Sequence, residues 1–598
     1  MKLLLYLTWK ELLGKRPTEQ EVIQDIQKFD RLHTVLLLSR IGIHLFLDNF
    51  HSEAKEANAL QRFLVANFFN DEVLAKAKEK YGRDRLDVRR AFHCQQVLTL
   101  LKWGILHGAS INGLRPDTDR KARFELGDCL LKTSDLLYTK EMRKVMKSWL
   151  RVPTMNKFVA FQLQAGSAFE VNNPPPINMS IVRNDMIFGE ILRNVPTSID
   201  VATEFSKCTG LDLDVYIDMI LGILAHYLSK SQQQLIDDPG LSLINPKTFF
   251  GIASAKQAEK FWALESATMD EMAQELGKDT GLKPHQDSNV FRMKPFIRIN
   301  EEAVLCLNPG FVQEKLEVGL FWSIVNHLGD GDRKKMFDTW GGLFESYVTD
   351  LLGTFIRSDS EAYVPFPEFS EKGHRHESFD ALIVSGAKCI VIECKGGFLT
   401  SRAKYSEDRE GFLEDLDLKF GAQPGGGVEQ LVRKIGQVFA RKESERRKME
   451  SLSPEEIEIV VPVLVVQDAF VASPFTAAWL AKRFRDSMRK KDVLKKLKWM
   501  GLVVIDVGEL EAIRPYIMSG KVVFSDCVMY RARKGDPGSD NRVFSFGDVM
   551  ESFFEEMKIE QVPPSECDDR FEVIINRVTM RFFGQPFKRV GQARGKLG

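Results

Sequence analysis

The sequence predicts a chain in two parts, an all-helical first half followed by an α/β half with a mixed central sheet. Three observations carry that expectation. Over residues 1–285 the apolar positions recur at helical spacing. From about 334 onward, helical and strand patterns alternate. Two of the later strands, "IEIVVPVLVVQD" (457–468) and "WMGLVVIDV" (499–507), are β-branched and almost continuously apolar, as strands covered on both faces are.

The helical half opens on "TEQE", a capping box with Thr18 as N-cap and Glu21 three residues later. "RLHTVLLLSRIGIHLFL" is apolar nearly all round, which predicts a buried helix. "EANALQRFLVANFF", "VRRAFHCQQVLTLLKWGIL" and "LDVYIDMILGILAHYL" keep the same period. "NNPPPINMS" (172–180) is a loop, because consecutive prolines cannot continue a helix. "VATEFSKCTGLDLDVYIDMIL" (201–221) has the outline of a helix-turn-helix, but its second half is too apolar to lie in a nucleic-acid groove and reads as core. A short unit at 286–333 follows: "MKPFIRI" and "AVLCL" as a strand pair, then a helix. The α/β domain is expected over 334–545 and a C-terminal extension with a basic tail over 546–598.

Composition limits the function classes. Lys plus Arg equals Asp plus Glu at 83 each, so any surface for a polyanion must be local. The eight cysteines are scattered without a Cys-x-x-Cys, which argues against a disulfide scaffold or a cysteine zinc site and fits a reducing, cytoplasmic setting. No run approaches the ~18 apolar residues of a membrane helix, and the apolar opening is short for a signal-peptide core. No membrane partner is expected.

The chemistry concentrates in "FDALIVSGAKCIVIECK" (379–395), two apolar runs around a Ser-Gly-Ala turn. Side chains alternate along a strand. Cys389, Val391, Glu393 and Lys395 therefore share one face, and Ile390, Ile392 and Cys394 the other. If the runs pair as a hairpin about residue 386, Asp380 falls opposite 392 or 393. Two carboxylates then converge beside a lysine. Unrelieved, they repel and one titrates abnormally. Mg²⁺, held by one or two carboxylates with water and phosphate, relieves that repulsion, and Mn²⁺ would serve as well.

Asp380 and, thirteen positions on, Glu393-Cys394-Lys395 resemble the active-site signature of the PD-(D/E)XK nuclease superfamily, which includes restriction endonucleases and Mrr- and RecB-like nucleases. "GGLFESYVTDLL" (341–352) resembles its first core helix, with Glu345 at the edge of the apolar stripe formed by Phe344, Tyr347, Val348, Leu351, Leu352 and Phe355. "GGGVEQLVRKIGQVF" (425–439) resembles the helix after the third strand, with Gln430 and Lys434 on one ridge four residues apart. The resemblance spans about 334–510 and departs at Phe379, where a proline is usual.

It implies a restriction-endonuclease-like domain and a Mg²⁺- or Mn²⁺-dependent endonuclease acting on nucleic acid, with DNA preferred and a prokaryotic restriction or anti-phage defence role by analogy. Asp380 and Glu393 would bind metal, with the Cys394 carbonyl and Glu345 assisting. Lys395 would orient water, and Gln430 would complete the catalytic set. The rival is an interaction protein that keeps such a fold as scaffold.

The helical half would sense a protein partner or position substrate. Residues 396–427 are expected as a loop over the site, carrying Arg402, Lys404, Tyr405 and Lys419. "GHRH" (373–376) reads as a polar turn, "GAQPGGG" (421–427) as a linker and "DGD" (330–332) as a turn. The stretch "AKRFRDSMRKKDVLKKLKWM" (481–500) has nine Lys or Arg against two Asp. Its Arg483, Lys490, Lys491, Lys495 and Lys496 are the candidates for gripping a phosphate backbone.

Overall fold

The computed structural model describes residues 5–51, 59–82, 89–110, 112–137, 175–251, 254–283, 286–356, 361–371, 374–406, 408–439, 456–490, 497–534, 545–560, 562 and 566–588. It is a mixed helix-and-sheet structure. No helix among these residues is long and apolar enough to cross a membrane.

The central sheet runs 362–365, 381–385, 388–395, 459–466, with 498–499 and 503–506 both on the far side of 459–466. The first three strands are antiparallel and the rest parallel, so the sheet is mixed as expected. Ser385 to Lys388 is a two-residue turn with Gly386 at φ +58°, a backbone that favours glycine. Strand Ile459–Val466 is buried along almost its whole length, because helices cover both faces.

Helix Asp330–Phe355 packs on one face, where its stripe from Phe344 to Phe355 meets Ile383, Ile390, Ile392 and Val463. Helices Gly427–Phe439 and Pro474–Arg489 cover the other, against Leu382, Cys389, Val391 and Leu464. Gly396 lets the first helix cross close to the sheet: a Cβ there would stand 2.9 Å from the Phe344 Cβ.

The helical half keeps its expected helices, including the Thr18 capping box, and helix Leu213–Leu228 is buried on nearly every side. It is not all-helical. Leu5–Tyr6 pairs with Arg89–Arg90, and the expected strand pair 296–300 and 303–306 is flanked by Leu243–Ile244 and Ser266–Thr268. The boundary drawn near 285 thus falls inside one four-stranded sheet.

The apolar core crosses it too. One continuous core joins Ile43, Ile181 and Ile220 from the helical half to Phe344, Ile392 and Val463 around the central sheet and to Phe571 and Ile575 near the C-terminus. Helix Glu566–Phe583 is tied to the helical half by charge. Arg570 donates to Asp185 (2.6 Å) and Glu190 (2.7 Å), and Arg581 pairs with Asp218. Separate folding of 1–285 does not follow from such a core.

A buried charge cluster also spans the parts. Arg183 grips Glu511 with two nitrogens (2.7 and 2.8 Å) and Glu317 with a third (3.0 Å), while the Tyr347 hydroxyl donates to Glu511 (2.6 Å). The acids hold the Arg183 guanidinium well above its ordinary pKa against the opposing effect of burial.

Several sequence expectations fail locally. The loop expected over 172–180 gives way to helix Ile177–Asn184, and residues 172–174 lie outside the described residues. The segment 396–427 is not a loop but carries helices Ser401–Tyr405 and Arg409–Lys419, capped by Thr400 and Asp408. Three of its polar residues are tied down: Lys404 to Asp468 (3.0 Å), Lys419 to the Phe398 carbonyl (2.8 Å) and Tyr405 to Arg292 (3.1 Å), while Arg402 is exposed. The 421–427 glycines form a packed turn, in which the Ala422 amide donates to the Asp417 carboxylate (2.9 Å). Of "GHRH", His374–His376 are not a turn either but belong to strand His374–Glu377, paired with Glu368–Glu371, and Gly373 lies outside the described residues. "DGD" begins helix Asp330–Phe355 rather than forming a separate turn.

Candidate active site

Register builds the site. Ala381 pairs with Ile392, and the Asp380 amide donates to the Ile392 carbonyl (3.1 Å). Asp380 therefore stands across from Glu393, as the turn spacing predicts. Both acids are buried, at 3% and 2% exposure. The Asp380 Oδ2 accepts from the Cys394 amide (2.6 Å), which fixes the carboxylate at the strand end.

Strand alternation decides what faces them. Glu393 and Lys395 project on the side covered by helix Gly427–Phe439. Gln430 and Lys434, one turn apart on that helix, meet them there. Lys395 Nζ donates to Glu393 Oε1 (3.1 Å) and to the Gln430 side-chain oxygen. Lys434 Nζ donates to Glu393 Oε2 (2.6 Å) and lies 3.6 Å from Asp380 Oδ1. The helix comes this close because its first residue is Gly427. A Cβ there would press on Leu464 at 2.7 Å and on the Lys395 Cγ at 3.3 Å.

Burial pushes the Asp380 carboxyl up to about 7, and the neighbouring Glu393 charge adds to the rise. Lys434, the Cys394 amide and Lys395 oppose it without cancelling it. The Cys394 thiol lies on the opposite face, in the core with Phe344. Burial first, then the charges of Asp380, Glu345 and Glu393, hold it well above its ordinary range. It is inert as a nucleophile and offers only its backbone at the site.

Glu345 is half-buried on helix Asp330–Phe355, near enough for its charge to be felt at Cys394. It is not gathered with Asp380 and Glu393. Among the described residues, no three His, Cys, Asp or Glu side chains form a group that could hold a metal ion. The donor set is thus two carboxylates. It fits a hard divalent cation by chemistry: two oxygen acids converge, and a positive charge, the Lys434 ammonium, already lies between them.

Two features were not singled out by the motif. Lys434 was visible only as the ridge neighbour of Gln430. Phe366 had no sequence signal. It is 41% exposed at φ +42°, a left-handed backbone rare for an aromatic residue, and its amide donates to the Asp380 carbonyl (2.9 Å).

The basic stretch divides. Arg483 is taken up by buried Asp417 (Nε 3.2 Å) and lies over the Trp479 ring at 5.0 Å. It staples helices Arg409–Lys419 and Pro474–Arg489 beside a cavity of about 680 Å³ that Arg409, Trp479 and Lys482 also line. Lys490 is exposed. Lys491, Lys495 and Lys496 lie outside the described residues.

No family model, curated protein or solved structure matches this chain.

Proposed function

We propose that the chain is a metal-dependent nuclease that hydrolyses phosphodiester bonds in nucleic acid, with DNA as the preferred polymer. The observation that carries this reading is the meeting of Asp380, Glu393, Lys395 and Gln430 at one sheet end, two buried acids against a lysine pinned by an amide.

Asp380 and Glu393 would hold Mg²⁺ or Mn²⁺. A divalent cation there lowers the pKa of a bound water and offsets phosphate charge. The chain's own residues do the rest. The Cys394 amide fixes the Asp380 carboxylate. Gln430 and Glu393 orient the Lys395 ammonium, a donor for the attacking water and for charge that develops on the phosphate. Phe366, exposed and bonded through its amide to the Asp380 carbonyl, would offer a stacking face to a base. A role in prokaryotic defence rests on analogy alone.

One observation favours the rival scaffold: Lys434 already neutralises the acids, so an ion-paired strand end could persist without catalysis. A single assay separates the readings. The full chain is incubated with plasmid, linear duplex, single strands and RNA, with and without Mg²⁺ or Mn²⁺. Metal-dependent cleavage that Lys395→Ala removes supports the nuclease. Intact polymers under every condition support the scaffold.

A further inference from the structure

The acid pair has an incumbent. Lys434 Nζ contacts Glu393 at 2.6 Å and Asp380 at 3.6 Å, while Lys395 takes the other Glu393 oxygen. Formal charge at the cluster sums to zero from two carboxylates and two ammoniums. Any divalent cation that binds these acids meets the Lys434 charge at a few ångströms in a partly buried setting, where like charges repel strongly.

Lys434 is not sealed in: its side chain is 13% exposed, against 2% for the Glu393 side chain that it contacts. Lysine holds a carboxylate as a point charge on a flexible stem, without the bidentate fork of arginine. The helix that carries it is fixed by buried Leu431, Val432 and Ile435, so the side chain alone can swing.

We propose that Lys434 is the resident counter-ion of the acid pair and gates cation loading: a divalent ion enters by displacing its ammonium from Asp380 and Glu393. The ion itself rests on the nuclease reading. The gate sets how tightly the site binds, so the metal-free state stays ion-paired and loading requires cation enough to evict the lysine.

The test uses the full chain, Mn²⁺ as probe, calorimetric titration, and thermal midpoints with and without Mn²⁺. Lys434→Met and Lys434→Gln remove the charge; Lys434→Arg keeps it. Both neutral variants are expected to bind Mn²⁺ at least about tenfold tighter than the parent. Their metal-free midpoints should fall, and Mn²⁺ should raise them by more than it raises the parent's. Lys434→Arg should match the parent's metal-free midpoint and bind Mn²⁺ no more tightly. Should Lys434→Met fail to fold, Lys434→Gln, which retains a donor toward Glu393, carries the titration. If the parent binds Mn²⁺ and neither neutral variant binds it more tightly, the gate is overturned while the nuclease reading stands. If no form binds Mn²⁺, the gate and the metal-dependent nuclease fall together.

Discussion

Two buried charge clusters in the molecule are built on opposite plans. Around Arg183, one planar guanidinium grips Glu511 with two nitrogens and Glu317 with a third, and its side chain is 4% exposed. Around Glu393, two lysines each touch the carboxylate with one ammonium, their side chains 13% and 19% exposed. The first arrangement is a fork with fixed geometry that links the helical half to helix Val507–Met518. The second is a set of point charges on flexible stems at the edge of the sheet. Arginine in a sealed pocket joins parts; lysine at a wet rim leaves acids that another cation can claim. The first cluster joins parts of the fold; the second is the one we propose for chemistry.

The sharpest way to break that contrast is to remove the fork. Arg183→Met should cost about 3–5 kcal/mol, because it leaves Glu511 and Glu317 buried without their cation. Denaturant unfolding measures this, and Arg183→Met combined with Glu511→Met should recover part of the loss. A cost below about 1 kcal/mol would put the Arg183 cluster on a level with exposed ion pairs.

Lys395→Ala should behave in the opposite way. Cleavage is expected to fall about a hundred- to a thousandfold, on the scale of losing one preorganised donor, with the thermal midpoint little changed. Equal cleavage by variant and parent would move the chemistry elsewhere.

Gly396→Ala tests whether the site depends on the helix crossing behind it. The new methyl would press on Phe344, so a cost of about 1–3 kcal/mol is expected by denaturant unfolding. The smallest effect is expected at the basic stretch. Replacing Lys490, Lys491, Lys495 and Lys496 with Glu should leave stability nearly unchanged. It should also flatten the salt dependence of duplex binding, by about 0.9 in the log–log slope for each phosphate that is no longer neutralised. An unchanged slope would remove this stretch from the interface.

Local patterns were legible where one period or one turn dominates. The 379–395 hairpin could be read because a two-residue turn fixes register, and register alone sets Asp380 against Glu393. The stripe on helix Asp330–Phe355 could be read for the same reason. What escaped depends on neighbours distant in sequence. Arg409–Lys419 has a helix cap at Asp408 but a mixed face, so its helical character shows mainly in how it packs. Strands of two or three residues, such as Leu243–Ile244, exist only because Ala303–Cys306 is there to pair with them. Arg483 looks like a free cation until Asp417, 66 positions away in sequence, is brought beneath it. The line at 285 runs through one four-stranded sheet because apolar residues report burial, not which partner buries them.

Helix Glu566–Phe583 packs against Ile177–Asn184 and Leu213–Leu228. During synthesis, the Leu213–Leu228 surface emerges more than 300 residues before the helix that covers it. At roughly 5–20 residues per second, that face waits some tens of seconds without its partner. Chain growth therefore passes through a stage in which a wide apolar surface, together with Asp185 and Asp218, is still without Arg570 and Arg581. Ribosome-bound chains that end before residue 566 should be held by chaperones that recognise apolar surface, and release should coincide with translation of the last helix.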